Sequence, residues 1–97
     1  MSPLQTSRIA RGLTQEQVAV RAGIAGSTVR RLEAGAPLSK DAVSKLAKTL
    51  DATPEEQVEW LQYALVRAEQ QSPIRAAKAR AVLDRARARV QKEAKAP

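Results

Sequence analysis

The sequence predicts an all-α protein, and three features of its 97 residues support this fold class. Good helix formers (Ala, Leu, Arg, Lys, Gln and Glu) dominate the chain. Long alternating runs of β-branched residues, which would predict strands, do not occur in it. Helix start and stop signals recur along its length. With no Phe, one Trp and one Tyr, we expect an aliphatic core in one small domain with at most an appendage.

Three short helices are predicted in the first third of the chain. The first covers about residues 4–11 and stops at a glycine. The second begins after Thr14, an N-cap with Gln17 as its capping-box partner three residues on. It ends at Gly23, which suits a left-handed C-cap. The third covers about residues 25–33.

Three further helices follow. Ser39 is the predicted N-cap of the fourth. Thr53 caps the fifth, with Glu56 closing a capping box. The pattern breaks again at "QQSP", and a final helix is predicted from Pro73 to about residue 94.

The residue types of the chain argue against catalysis and metal binding. Cys and His are both absent, and the carboxylates are scattered among basic residues rather than paired for acid–base work. We therefore expect no enzymatic activity, no cofactor and no metal. No apolar run approaches the ~20 residues of a membrane span, so no membrane partner is expected. The N-terminal "MSPLQTSRIAR" lacks a signal-peptide core, so we expect a cytoplasmic protein.

The formal net charge of +7 is spread unevenly. Residues 1–72 carry 9 basic and 8 acidic side chains, whereas residues 73–97 carry 8 basic and 2 acidic ones. A basic protein suggests a polyanionic partner, and here the excess charge points to the C-terminal segment.

Residues 15–33 have the spacing of a helix-turn-helix. Small Ala19 lets two helices approach closely, and Gly23 lets the chain turn between them. Val29 and Leu32 then bury the next helix against the first.

The second helix of this pair is predicted to have a polar outer side. At about 100° per residue, Ser27 and Arg31 fall nearly opposite the apolar side, with Arg30 beside them. In a helix-turn-helix the second helix enters the DNA major groove, where Arg can bond bidentately to guanine O6 and N7. The alternative is a helical hairpin without a DNA role, whose arginines are merely solvated.

The segment "GLTQEQVAVRAGIAGSTVRRLEAG" resembles the Cro/CI-type helix-turn-helix family of phage repressors and bacterial xenobiotic-response regulators. The similarity covers residues 4–66 and includes the "RLEAG" and "LAKTL" segments. It implies a compact five-helix, lambda-repressor-like DNA-binding domain. Here an additional basic C-terminal helix would follow, which gives predicted domains at residues 1–71 and 72–97.

The resemblance also implies a set of DNA-contacting residues: Gln15, Gly26, Ser27, Thr28, Arg30, Arg31 and Lys40. In this set Gln15 would reach a phosphate or an edge base, and Lys40 would meet the DNA backbone. Arg8 and Glu33 resemble a buried ion pair that ties the first helix to the third.

Two departures from the family pattern concern the start of the third helix. Ala25 replaces the usual Ser or Thr cap, and Gly26 stands where many relatives place a long polar side chain. We therefore expect readout to depend on Ser27, Arg31 and DNA shape.

The last two helices offer candidate surfaces for dimerisation or helix docking. Trp60 and Tyr63 lie opposite the main apolar stripe of the fifth helix, which predicts an exposed pair covered by the last helix or by a second protomer. The last helix carries a narrow, Ala-rich seam that includes Leu83 and Val90. That helix either docks through this seam or serves as an arm on the DNA backbone, with RNA a lesser alternative.

The sequence thus predicts a DNA-binding transcriptional regulator, a homodimer on a roughly palindromic double-stranded operator, of phage, prophage or plasmid type. One alternative is the antitoxin of a toxin–antitoxin pair, with a toxin or another regulator as protein partner. A second is a recombination-directionality or architectural factor that uses the basic C-terminal helix.

Overall fold

A computed structural model describes residues 1–94, and within them six α-helices and no strand occur. The predicted all-α class is therefore confirmed. The helices are α1 (Pro3–Ala10), α2 (Gln15–Ala22), α3 (Gly26–Glu33), α4 (Lys40–Leu50), α5 (Pro54–Gln71) and α6 (Pro73–Ala94). Lys95, at the basic end of the chain, lies outside the described residues.

Side-chain caps explain where most of the helices begin. Four hydroxyl groups accept a hydrogen bond from the backbone N–H three residues further on, those of Ser2, Thr14, Ser39 and Thr53. In α2 and α5 the return bond of a capping box is also present, from Gln17 and Glu56. The Ser2 cap was not predicted, and because of it α1 begins one residue earlier than expected.

All six helices contribute to one aliphatic core. The most deeply buried large side chains include Leu46, Leu61 and Leu83, from α4, α5 and α6. Leu83 is 0 % exposed, so α6 is packed into the same core as the other five helices. Burial of apolar surface is the main force that holds these short helices together.

The predicted pair of Trp60 and Tyr63 is covered within the chain itself. Trp60 is 1 % exposed and belongs to the core, while Tyr63 is half-buried beneath Arg67. The Trp60 indole N–H donates to the Ser7 hydroxyl at 3.0 Å, so α1 supplies its polar partner. Two apolar sides of α5 are buried because this helix lies between α1 and α6. Trp60 therefore offers no surface to a second protomer.

Helix α6 folds back along α5 as a helical hairpin. Ser72, in extended conformation, is the one residue between the two helices. Ala76, Ala79 and Leu83 of the predicted seam are buried, and Val90 is half-buried. Small alanines let the two backbones approach closely, which explains how a seam with few large side chains docks.

A polar cluster joins α1 to the start of α5. The Arg11 guanidinium donates to both carboxylate oxygens of Glu56, at 2.9 and 3.0 Å, and the Ser7 hydroxyl donates to the same carboxylate at 2.9 Å. Arg11 also donates to the carbonyl of Leu50, at the end of α4. The hydrogen bonds from Arg11 are the main cause that lowers the pKa of Glu56 from 4.5 to about 2.

This cluster makes the stability of the protein depend on pH. Because the folded pKa of Glu56 lies below its ordinary value, its ionised form stabilises the fold above pH 4.5, and that contribution is lost as the pH falls towards 2. The side chain is 27 % exposed, so solvent screening reduces the effect to about 1–2 kcal/mol.

We therefore expect Glu56→Gln to lower the free energy of unfolding by this amount at pH 7 and to have little effect near pH 2. Urea denaturation across this pH range measures the difference. Glu55→Gln, which removes the neighbouring exposed carboxylate, is the matched control. A Glu56→Gln effect that is independent of pH would contradict the role of this carboxylate.

Candidate nucleic-acid interface

The turn between α2 and α3 is set by local backbone chemistry. Gly23 adopts a left-handed conformation with φ 72°, which a residue with a Cβ adopts less readily. The N–H of Ile24 donates to the carbonyl of Ala19 at 3.0 Å, and this bond closes the end of α2. The chain therefore leaves α2 sharply and enters α3 after a short turn.

Helix α3 has one buried side and one exposed side. Val29 and Leu32 are 1 % and 7 % exposed, and they pack in the core. Ser27, Arg30 and Arg31 are exposed. The helix therefore presents one hydroxyl and two guanidinium groups to solvent, as the spacing predicts.

A buried carboxylate fixes α3 against α1 and α2. Glu33 is 6 % exposed and accepts hydrogen bonds from Arg8 Nε at 2.6 Å and from Arg8 Nη2 at 3.2 Å. Gln15 Nε2 donates to the same carboxylate at 2.9 Å. Arg8 Nη1 donates to the Leu13 carbonyl at 2.8 Å, so the loop before α2 is held as well. Three helices thus meet at Glu33.

This geometry gives Gln15 a role that its position in the sequence did not indicate. Its amide N–H is directed at Glu33, and the side chain is half-buried at the first position of α2. Gln15 therefore helps to connect α2 to α3 in the protein itself. A contact between Gln15 and DNA stays a prediction.

The C-terminal end of α3 is held by α5, through a contact that was not predicted from the sequence. Arg67 Nη2 donates to the Ala34 carbonyl at 3.1 Å. Gly35 follows with φ 103°, and a Cβ at this position would lie 2.7 Å from Arg67 Cγ and 3.2 Å from Tyr63 Cε1. Only glycine fits this close approach with this backbone conformation. The glycine after α3 was the one available sequence signal.

The N-terminal end of α3 is less constrained. Its N-cap, Ala25, provides no side-chain hydrogen bond, which typically costs about 0.5–2 kcal/mol relative to a Ser or Thr cap. Apart from Gly26, its two chain neighbours and the adjacent backbone of α3, no atom of the described residues lies within 4 Å of the position that a Cβ would occupy at Gly26. The start of α3 therefore presents backbone and open space rather than a long side chain.

The remaining predicted contact residues lie around this helix. Thr28 is half-buried, and Arg31 Nη2 lies 3.5 Å from its hydroxyl, a distance at the limit of a hydrogen bond. Lys40 is exposed at the first position of α4, which follows the loop after α3. The exposed members of the predicted set are thus Ser27, Arg30, Arg31 and Lys40.

Two further observations on the described part of the chain concern metal ions and membranes. Among residues 1–94 no group of three or more acidic side chains is placed to hold a metal ion. None of the six helices combines the length and the apolar character that crossing a membrane requires.

Two helices joined by a glycine turn, with the second helix polar on its outer side, define a helix-turn-helix protein. The family model described as "Helix-turn-helix domain" matches residues 4–61, which is more than half of the chain, and the chain belongs to this DNA-binding family. No curated protein and no solved structure shows significant similarity to it.

Proposed function

We propose that the protein is a sequence-specific transcriptional regulator of the Cro/CI type, without enzymatic activity, that acts in the bacterial cytoplasm. It represses transcription of phage, prophage or plasmid genes by occupying an operator and excluding polymerase. The single observation that carries this proposal is the pair of exposed arginines on α3, a helix whose other side is fixed in the core.

The exposed side of α3 suits the major groove in chemistry as well as in shape. The Arg31 guanidinium can donate two hydrogen bonds to guanine O6 and N7, and the Ser27 hydroxyl can donate or accept. Arg30 lies beside them and can reach a phosphate. Because Gly26 contributes no side chain, Ser27 and Arg31 carry the direct readout, and DNA shape supplies the rest.

We further propose that the protein binds its operator as a homodimer. The support is the resemblance to a family of dimeric repressors and the two-fold symmetry of operators that such dimers read. Trp60 does not support it, because that side chain is part of the core.

The proposal predicts that the protein enriches an approximately palindromic sequence from a pool of random DNA duplexes. The two half-sites should be centred about 34 Å apart, one helical turn, because two copies of α3 must enter successive major grooves on one side of the DNA. Sequencing of the bound fraction measures this. Enrichment of no sequence would exclude a sequence-specific regulator, and enrichment of a single asymmetric site by a monomer would exclude the dimer.

For the enriched duplex, we expect Arg31→Ala to cost about 1–3 kcal/mol of binding free energy and to relax the preference at one base pair in each half-site. Fluorescence anisotropy on matched and substituted duplexes measures both effects. Arg75→Ala is the control, since it removes the same charge from α6, where Arg75 donates to Gln71. Equal losses on the enriched duplex and on random DNA would show that Arg31 contacts only phosphate.

A further inference from the structure

A cationic cleft lies between α4, α5 and α6. It has a volume of about 140 Å³, and three of its lining residues are the cations Lys40, Arg85 and Arg89. Its polar neutral lining residues are Ser44 and Gln57, and the others are apolar. Within residues 1–94, no carboxylate lines it. Two helices that are distant in sequence thus bring three positive charges to one opening.

The three cations have no acidic partner within residues 1–94 that satisfies ion-pair geometry. Asp41, the neighbour of Lys40, is paired instead with Lys45 at 3.0 Å. Asp84 directly precedes Arg85, and adjacent residues on a helix do not face each other. Arg85 and Arg89 are one turn apart, where like charges repel. An anion in the cleft would relieve this repulsion.

The other side of α6 has a different character. A second groove there contains Arg87 together with Glu55 and Glu59 of α5, so its positive charge has carboxylates beside it. The cleft with Arg85 and Arg89 has no carboxylate in its lining. Glu93, one turn beyond Arg89, forms no ion pair with it among the described residues. A basic helix that is merely solvated would not require one groove with carboxylates and one cleft without them.

We infer that Lys40, Arg85 and Arg89 form a clamp for a backbone phosphate of duplex DNA, so that α6 extends the interface beyond the helix-turn-helix. The inference rests on the proposed function, because Lys40 is the predicted backbone contact that follows α3. Arginine can hold two oxygens of one phosphate, and lysine adds a point charge. Burial of Leu83 in the core fixes the part of α6 from which the two arginines extend into the cleft beside α4.

The clamp is tested on the full chain by measuring its affinity for a random-sequence DNA duplex over a range of salt concentrations. In the double variant R85Q/R89Q, the slope of log affinity against log salt should flatten by about 0.9 per chain, because one phosphate is no longer neutralised. Affinity at about 0.1 M salt should fall on the order of tenfold. Both arginines are exposed and repel each other, so the Tm should not fall.

Two matched variants serve as controls. R75Q/R87Q removes the same charge from other positions of α6 and should flatten the slope much less. R85K/R89K keeps the charge in the cleft and should retain most of the wild-type slope.

Equal flattening in R85Q/R89Q and R75Q/R87Q would overturn the clamp in favour of a general effect of charge. An unchanged slope in R85Q/R89Q would also overturn it. So would a result in which inorganic phosphate stabilises the wild type but not R85Q/R89Q, while the two proteins bind DNA with the same affinity. These results leave the proposed function intact. Its own failure is distinct: the wild-type protein would select no sequence from the random pool, or bind no DNA.

Discussion

The orientation of α3 depends on one buried carboxylate. A carboxylate that is removed from water must be paired and hydrogen-bonded, or its burial costs several kcal/mol. Glu33 meets this requirement only if Arg8 of α1 and Gln15 of α2 approach it at the same time. The three helices therefore have one arrangement that satisfies the charge. Val29 and Leu32 of α3 add apolar contact in the same arrangement.

The rest of the fold supports this arrangement from both ends of α3. On α1, Arg8 faces α3 while Arg11 faces Glu56, so the same short helix connects α3 to α5. Helix α5 then returns to the end of α3 through Arg67 and the Ala34 carbonyl. Each α3 contact therefore involves a helix that is itself held in the core, which is how a helix of eight residues keeps its orientation.

Local signals in the sequence predicted most of the fold, because caps and turns act within a few residues. The capping box of α2 and the left-handed glycine that ends it were predicted from residue types alone. Contacts between residues that are distant in the sequence were not predicted from residue types. Arg11 and Glu56 are 45 residues apart, and Arg67 and Ala34 are 33 apart, so no spacing rule connects them. The Arg8–Glu33 pair, 25 residues apart, was predicted only from the family resemblance.

The contact between Trp60 and α1 could not be predicted for the same reason. The helical period of α5 correctly indicated two apolar sides, but a period does not reveal how many neighbours a helix has. The expected cover of the second side was the last helix or a second protomer, and the structure adds α1 as a neighbour there. For the candidate DNA-binding side of α3 the period sufficed, because that side is exposed and needs no distant partner to be recognised.

The dependence of α3 on Glu33 is tested most directly by a double-mutant cycle. The free energy of unfolding is measured for Arg8→Met, for Glu33→Gln and for the two combined. Arg8→Met leaves the buried carboxylate without its cation and should cost about 3–5 kcal/mol. Adding Glu33→Gln should then recover part of this loss, with a coupling of about 1–3 kcal/mol between the two positions. Effects that simply add would show that the pair does not hold α3.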